Sequence, residues 1–242
     1  MLLITGMNGK LGRALTLEGI ARGLPLCGVV RNEKAAEQVQ DLVKKGAKLF
    51  IADLSKREAI RELIQEITRT QSMPDRIILN AATIEDDIFN CALAEGLGEI
   101  IFTNLTGPLL LISGLLPHLC ENEGRVIAIS SLSGRLATDK GRIAYPASKA
   151  GLSMAFSALR LQPELDRERF ITVEPGLMGD GPPFLSISYA RAAKRIMNLV
   201  EAKNPKVSVS FPILSNLIYR IMGNLPRKIT AGIIILRAKI KK

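Results

Sequence analysis

The chain has 242 residues, 47% of them hydrophobic, and carries a net charge of +10 with three cysteines and one histidine. That length suits one large α/β domain or two small ones, and the apolar content excludes disorder as the default state. Cys27, Cys91, Cys120 and the single His118 are too few and too scattered for a disulfide framework or a zinc site, so no metal is expected and a reducing cytoplasm fits.

Short apolar runs at 2–5, 26–31, 47–52, 76–80, 125–130, 170–174 and 206–211 read as strands. Helical patterns at 10–22, 33–45, 56–70, 95–121, 145–162 and 188–203 separate them. The runs are continuous in Val, Ile and Leu, as expected when helices cover both faces of a parallel sheet. Repeated strand–helix alternation therefore predicts a doubly wound, mostly parallel α/β sheet of about seven strands. The N-terminus enters its first strand at once, and the basic region and cleavage site of a secretory signal are not seen. Residues 1–211 are expected to form one domain, and 212–242 a basic amphipathic extension.

The first strand runs into Thr5-Gly6-Met7-Asn8-Gly9-Lys10-Leu11-Gly12. Glycines there let the backbone approach a pyrophosphate, and the helix N-terminus beyond offers free N–H groups and partial positive charge. Such a turn can also need glycines for geometry alone; its place on the first strand favours a dinucleotide. The second strand ends in Arg31-Asn32 with no carboxylate to hold a ribose 2′-hydroxyl. An arginine there suits a 2′-phosphate, so NADP(H) is preferred and NAD(H) stays open, with Lys10 as support. The alternative for Arg31 is a solvated strand end. The third strand ends in Asp53-Leu54, where the aspartate is either an adenine contact or a cap for the next helix.

Further on, Asn80-Ala81-Ala82 closes the fourth strand. Its asparagine can lock the strand, and its small residues leave room for a cofactor. Ser131 follows the fifth strand in a Ser-x-x-Gly turn, and a hydroxyl there can bond a substrate oxygen as charge develops on it. Ser130, Ser131 and Ser133 are alternatively turn residues. Fourteen residues beyond Ser131 comes Tyr145-Pro146-Ala147-Ser148-Lys149. Four residues make about one helical turn, so the phenol and the ammonium share a face. A phenol with a pKa of about 10 is a poor proton carrier near neutrality, and an adjacent cation lowers that value.

This last segment resembles the Tyr-x-x-x-Lys signature of short-chain dehydrogenases/reductases. The resemblance covers about residues 1–211 and implies an NAD(P)-binding Rossmann fold. It also implies an oxidoreductase that interconverts a carbonyl and an alcohol by hydride transfer. In that family Tyr145 would be the proton donor or acceptor, Ser131 would polarise the oxygen, and Lys149 would hold the nicotinamide ribose. Asn104 resembles the family's fourth catalytic member, with a helix irregularity ahead of Gly107 as its other reading. Thr5, Gly6, Asn8, Gly9, Leu11, Gly12, Asp53, Leu54, Asn80, Ala81, Ala82, Pro175 and Gly176 match cofactor-binding positions. Two departures stand out. The middle glycine of the loop sits at Gly9, with Lys10 in its usual place, a spacing like that of extended and atypical branches. Asp180 replaces the usual threonine after Pro175-Gly176. The family also implies a small-molecule substrate and a homodimer through the helices at 95–121 and 145–162.

Residues 202–242 hold nine basic and no acidic side chains, leaving 24 basic against 23 acidic in the first 201. The cations lack interleaved aromatics, which argues against nucleic acid. Leu214, Leu217, Ile218, Ile221, Met222 and Leu225 make one helical stripe, and a second apolar run spans 229–236. Neither reaches the ~20 residues of a membrane span. Docking on the body, on a twin subunit, or peripherally on a membrane are the readings. Rival functions are a dinucleotide sensor without turnover and, less favoured, a nucleotide-sugar epimerase or dehydratase.

Overall fold

The computed structural model describes residues 1–70, 73–84, 93–138, 142–182, 184–226, 228–230 and 232, the side chains of 93–95 excepted. Cys91 and most of the apolar run at 229–236 therefore lie outside the described residues.

Seven strands form one parallel sheet: β1 (Leu2–Thr5), β2 (Leu26–Val30), β3 (Lys48–Ile51), β4 (Arg76–Leu79), β5 (Arg125–Ile129), β6 (Phe170–Pro175) and β9 (Ser208–Phe211). Their spatial order is β3-β2-β1-β4-β5-β6-β9. The chain winds outward from β1 to β3, then returns to the far side of β1 and winds the other way. That reversal between β1 and β4 opens a crevice over the carboxyl ends of the strands, where such sheets bind ligands. A two-stranded parallel ribbon of β7 (Leu177–Met178) and β8 (Ser186–Ile187) lies beyond β6.

Both faces of the sheet are covered, which explains the unbroken apolar runs. On one face Ile4 and Ile78 pack with Leu15 of α1 (Lys10–Ala21) and Ile196 of α8 (Tyr189–Glu201). On the other, Leu3 and Ile77 meet Leu63 of α4 (Arg57–Arg69), Leu115 of α6 (Gly107–Glu121) and Phe156 of α7 (Ala144–Leu159). Leu3 and Ile4 are both fully buried although adjacent, since successive strand residues face opposite layers.

Two predicted helices are interrupted. The span 33–45 is α2 (Glu33–Glu37) and α3 (Gln40–Lys44). Arg13 takes the Gln38 carbonyl at 3.2 Å and pairs with Asp41, so Val39 turns fully into the core between the two pieces. The span 95–121 is α5 (Leu93–Ile101), a π-helical turn at Phe102–Thr106, and α6. Pro108 has no N–H to give the carbonyl four residues back, which is that of Asn104. A widened turn absorbs the loss. By length and composition Gly96–Glu121 is apolar enough to cross a membrane, yet Leu111, Ile112, Leu115 and Leu119 are buried within this fold.

After β9 comes α9 (Ile213–Asn224). The expected stripe is divided on it: Leu214, Leu217 and Ile221 are exposed, whereas Ile218, Met222 and Leu225 are half-buried. Glu174 of β6 is buried and pairs with Arg135, a contact between a carboxylate and a guanidinium that no motif signalled.

Candidate functional site

The crevice over β1 and β4 is a cleft of about 610 Å³. Its wall starts from the glycine turn. Gly6 has φ +67°, and a Cβ there would lie 2.8 Å from the Ala81 Cα. A Cβ on Gly12 would lie 2.1 Å from the Gly6 carbonyl oxygen, so only glycine lets α1 start this close to the strand end. Gly9 is different: its Cβ would meet only that same oxygen, at 3.4 Å. The space beside Gly9 is the cleft itself. No side chain caps the start of α1, leaving its first N–H groups to whatever the cleft holds.

Thr5 and Asn80 staple the two central strands together. The Thr5 hydroxyl accepts from the backbone N–H groups of Asn80 (2.9 Å) and Ala81 (3.0 Å). The Asn80 amide donates back to the carbonyls of Thr5 (3.0 Å) and Gly6 (3.1 Å). Asn80, Ala81 and Ala82 line the cleft, while Thr5 and Gly12 stand behind it as support. Asn8, Lys10, Leu11 and Leu54 also line it.

Among the described residues four cations line this cleft, Lys10, Arg31, Lys34 and Lys149, and no acid does. Arg31 donates to the Thr83 hydroxyl at 3.1 Å and lies 3.8 Å from Asp53 and 3.7 Å from Glu99. It therefore spans the floor from the β2 end toward α5. Asp53 is not in the lining. Its carboxylate accepts from the Ser55 N–H (3.0 Å) and hydroxyl (2.7 Å), capping the turn before α4. Burial pushes that carboxyl up, but the Ser55 hydrogen bonds with Arg31 and Lys56 outweigh it and hold it low.

At the other end Tyr145 and Lys149 lie on one face of the first turns of α7, the Lys149 Nζ 5.9 Å from the phenol ring centre. Lys149 is 3% exposed and donates to the Ile129 carbonyl at 2.7 Å. Burial pulls its ammonium down to about 8. Ser130 donates to the Lys149 carbonyl at 2.8 Å, and Asn104 donates to Ser148 Oγ at 3.1 Å, which in turn donates to the Tyr145 carbonyl. The helical turn bearing the phenol and the amine is thus braced from β5 and from the π-helical turn.

Asn104 is fully buried, outside the cleft lining. Its amide grips the Thr83 backbone at both ends, accepting at 2.8 Å and donating at 3.0 Å. It lies in the helix irregularity at Phe102–Thr106 and braces the turn of Thr83 and Ser148. Ser131 accepts from the Ser133 N–H at 3.1 Å, starting the turn after β5, and lies off the cleft lining. Pro175 and Gly176 also lie off it, Gly176 being tied by its N–H to the Phe211 carbonyl at 2.7 Å.

Sequence reasoning passed over several lining residues: Lys34, Gln38, Thr103, Ser130, Met178 and Tyr189. Ser130 was legible as the last residue of a buried strand. Tyr189 follows no local pattern and reaches the cleft only through the packing of α8 on α1. Thr103 is the informative one, since its buried hydroxyl is the only unpartnered buried side-chain polar atom among the described residues. An open phosphate-sized space at Gly9, uncapped N–H groups and an orphan hydroxyl together fit a dinucleotide.

A family model described as short chain dehydrogenase matches residues 1–181. A 3-oxoacyl-[acyl-carrier-protein] reductase of Buchnera aphidicola is 28% identical over 176 residues, 72% of each chain. A solved short-chain dehydrogenase from Streptomyces avermitilis has a TM-score of 0.77 at 21% identity, over 99% of this chain and 94% of its own. An alcohol dehydrogenase of the archaeon Thermococcus sibiricus, solved with 5-hydroxy-NADP, has a TM-score of 0.73 at 18% identity, over 87% and 94%.

Proposed function

Because the chain belongs to the short-chain dehydrogenase family, whose members are NAD(P)-dependent oxidoreductases, we propose that it is an NADP(H)-preferring enzyme that interconverts a small-molecule carbonyl and an alcohol. The observation that carries the cofactor choice is the cleft's charge: among the described residues Lys10, Arg31 and Lys34 line its nucleotide end and no carboxylate does. A 2′-phosphate brings about −2 charge, which such a rim stabilises and an acidic one would repel. Gly6, Gly9 and the start of α1 would hold the pyrophosphate, and Ala81 and Ala82 would leave room for the ring systems.

When bound, the nicotinamide supplies or accepts the hydride. Tyr145 moves the proton at its phenolic oxygen. The neighbouring Lys149 ammonium favours the phenolate and so brings that proton within reach of neutral pH. Ser131 donates to the substrate oxygen as negative charge grows on it. Asn104 is a positioning residue, acting through Ser148 and Thr83. The same reading includes a homodimer through α5, α6 and α7, the last of which leaves Met154 69% exposed.

Titrating the protein with NADPH and NADH, in the wild type and in Arg31→Ala, tests the cofactor choice. NADPH is expected to bind more tightly, with Arg31→Ala narrowing the gap. Equal wild-type affinities would overturn it.

A further inference from the structure

A helix on a globular body normally buries its apolar stripe and shows its polar one. α9 instead divides its stripe, with Ile218 and Met222 half-buried and Leu217 and Ile221 exposed. Ser215 is 7% exposed and donates to the Leu185 carbonyl at 2.8 Å. Asn216 accepts from Arg135 at 2.9 Å, and the Tyr219 hydroxyl lies 2.9 Å from Thr138 Oγ1. Polar contacts to two separate segments, the loop at Arg135 and Thr138 and the one at Leu185, set the helix's rotation. Outward from them point Leu214, Leu217 and Ile221, 40%, 50% and 55% exposed, with Ile213 at 76% on the first turn.

An apolar stripe alone does not name its cover, but the charge around it does. The groove between α8 and the start of α9 is lined by Arg191, Lys194 and Arg195 beside the exposed Phe184 and Ile213, and among the described residues no acidic one lines it. Arg220 on α9 and Lys228 beyond it are exposed as well. From residue 202 onward the chain has nine cations and no anion. A second copy docked by this face would set like charges against each other. A neutral apolar partner would leave the cations without counter-charge. An anionic bilayer answers both features, taking the stripe at the acyl boundary and the cations among its headgroups.

We propose that the outward face of α9, with the basic side of α8, is a docking surface for an anionic lipid bilayer. It rests on the orientation of α9 and does not depend on the reaction proposed above.

Co-sedimentation of the full chain with vesicles of phosphatidylcholine, alone or mixed with phosphatidylglycerol, tests it. At low salt the wild type is expected to pellet with the mixed vesicles and far less with the neutral ones, and raised salt should weaken binding. Arg191→Gln/Lys194→Gln, at two exposed positions, should weaken partition roughly 25-fold, about fivefold per cation. Leu217→Glu/Ile221→Glu should abolish it while keeping the circular dichroism of the wild type. Failure of the wild type to bind the mixed vesicles overturns the proposal. So does a stripe variant that binds as well as the wild type. If that variant instead halves the size of the particle on gel filtration, a second copy covers the stripe. If that variant unfolds, the charge variant decides: binding of Arg191→Gln/Lys194→Gln equal to the wild type overturns the proposal, and weakened, salt-sensitive binding supports it.

Discussion

α4 and α9 carry the same kind of apolar periodicity, yet α4 buries its stripe while α9 leaves half of its own outside. α4 hides Ile60, Leu63 and Ile67 and gives its charges to water. α9 anchors itself through Ser215, Asn216 and Tyr219 and gives Leu217 and Ile221 to the outside. α7 lies between these cases: Leu152 and Phe156 are buried in the core, while its first turns turn Ser148 and Lys149 inward. The difference follows position. A helix lying over the middle of the sheet meets only apolar neighbours, so its stripe faces in. A helix at the carboxyl edge meets strand-end carbonyls and loop hydroxyls, and these recruit its polar side.

Three perturbations probe this contrast. The largest effect is expected at α7, where inward polar groups are read as chemistry. Tyr145→Phe removes one oxygen, so NADPH binding should persist while turnover on a cognate carbonyl falls roughly 10²–10⁴-fold, the worth of general acid–base catalysis. Steady-state rates beside a cofactor titration check this, and retained turnover would strip α7 of that role.

Stability separates α4 from α9 directly. Leu63→Ala should cost about 2–5 kcal/mol in urea unfolding, since it empties a filled site. Leu217→Ala, at a half-exposed position, should stay within about 0.5 kcal/mol. Similar costs at the two sites would mean that α9's outward face is covered.

The smallest effect concerns the buried amine. Lys149 releases its proton near pH 8 in the fold against 10.5 when unfolded. Between those values the unfolded chain binds the extra proton, so this group's contribution to stability should rise with pH across that window, by up to about 3 kcal/mol in all, against the opposite trend of the buried Cys27 thiol, which burial pushes up to about 12. Chemical denaturation of wild type and Lys149→Met at pH 7, 9 and 10.5 follows it, and the variant should lose that rise. A difference between wild type and variant that stays constant over this range would show Lys149 to be solvated.

The strands and the site were legible to different degrees. Seven apolar runs stood out because burial on both faces leaves no polar alternation to blur them, and all seven are strands of one parallel sheet. The breaks at Val39 and at Phe102–Thr106 did not stand out as such. One depends on Arg13 arriving from another helix to take the Gln38 carbonyl. The other follows from Pro108, whose missing N–H was visible though its consequence was read only as an irregularity at Asn104. Glycine positions gave the phosphate turn away, but the differing roles of Gly9 and Gly12 need the distance from each Cα to the Gly6 carbonyl.

Local chemistry was thus written in the chain: a glycine turn after the first strand, a phenol and an amine one helical turn apart, a strand end with arginine in place of an acid. Each depends on residues close in sequence, whose relative placement the backbone dictates. Only tertiary structure decided which charges share the cleft. Lys34 joins Arg31 because α2 folds back over the β2 end, and Asp53 is withdrawn because Ser55 satisfies it. It also decided which way α9 faces, because periodicity fixes the angle between two stripes on a helix but not which of them meets the body. That choice belongs to Arg135, Thr138 and Leu185, which lie in segments remote in the chain and bond Asn216, Tyr219 and Ser215.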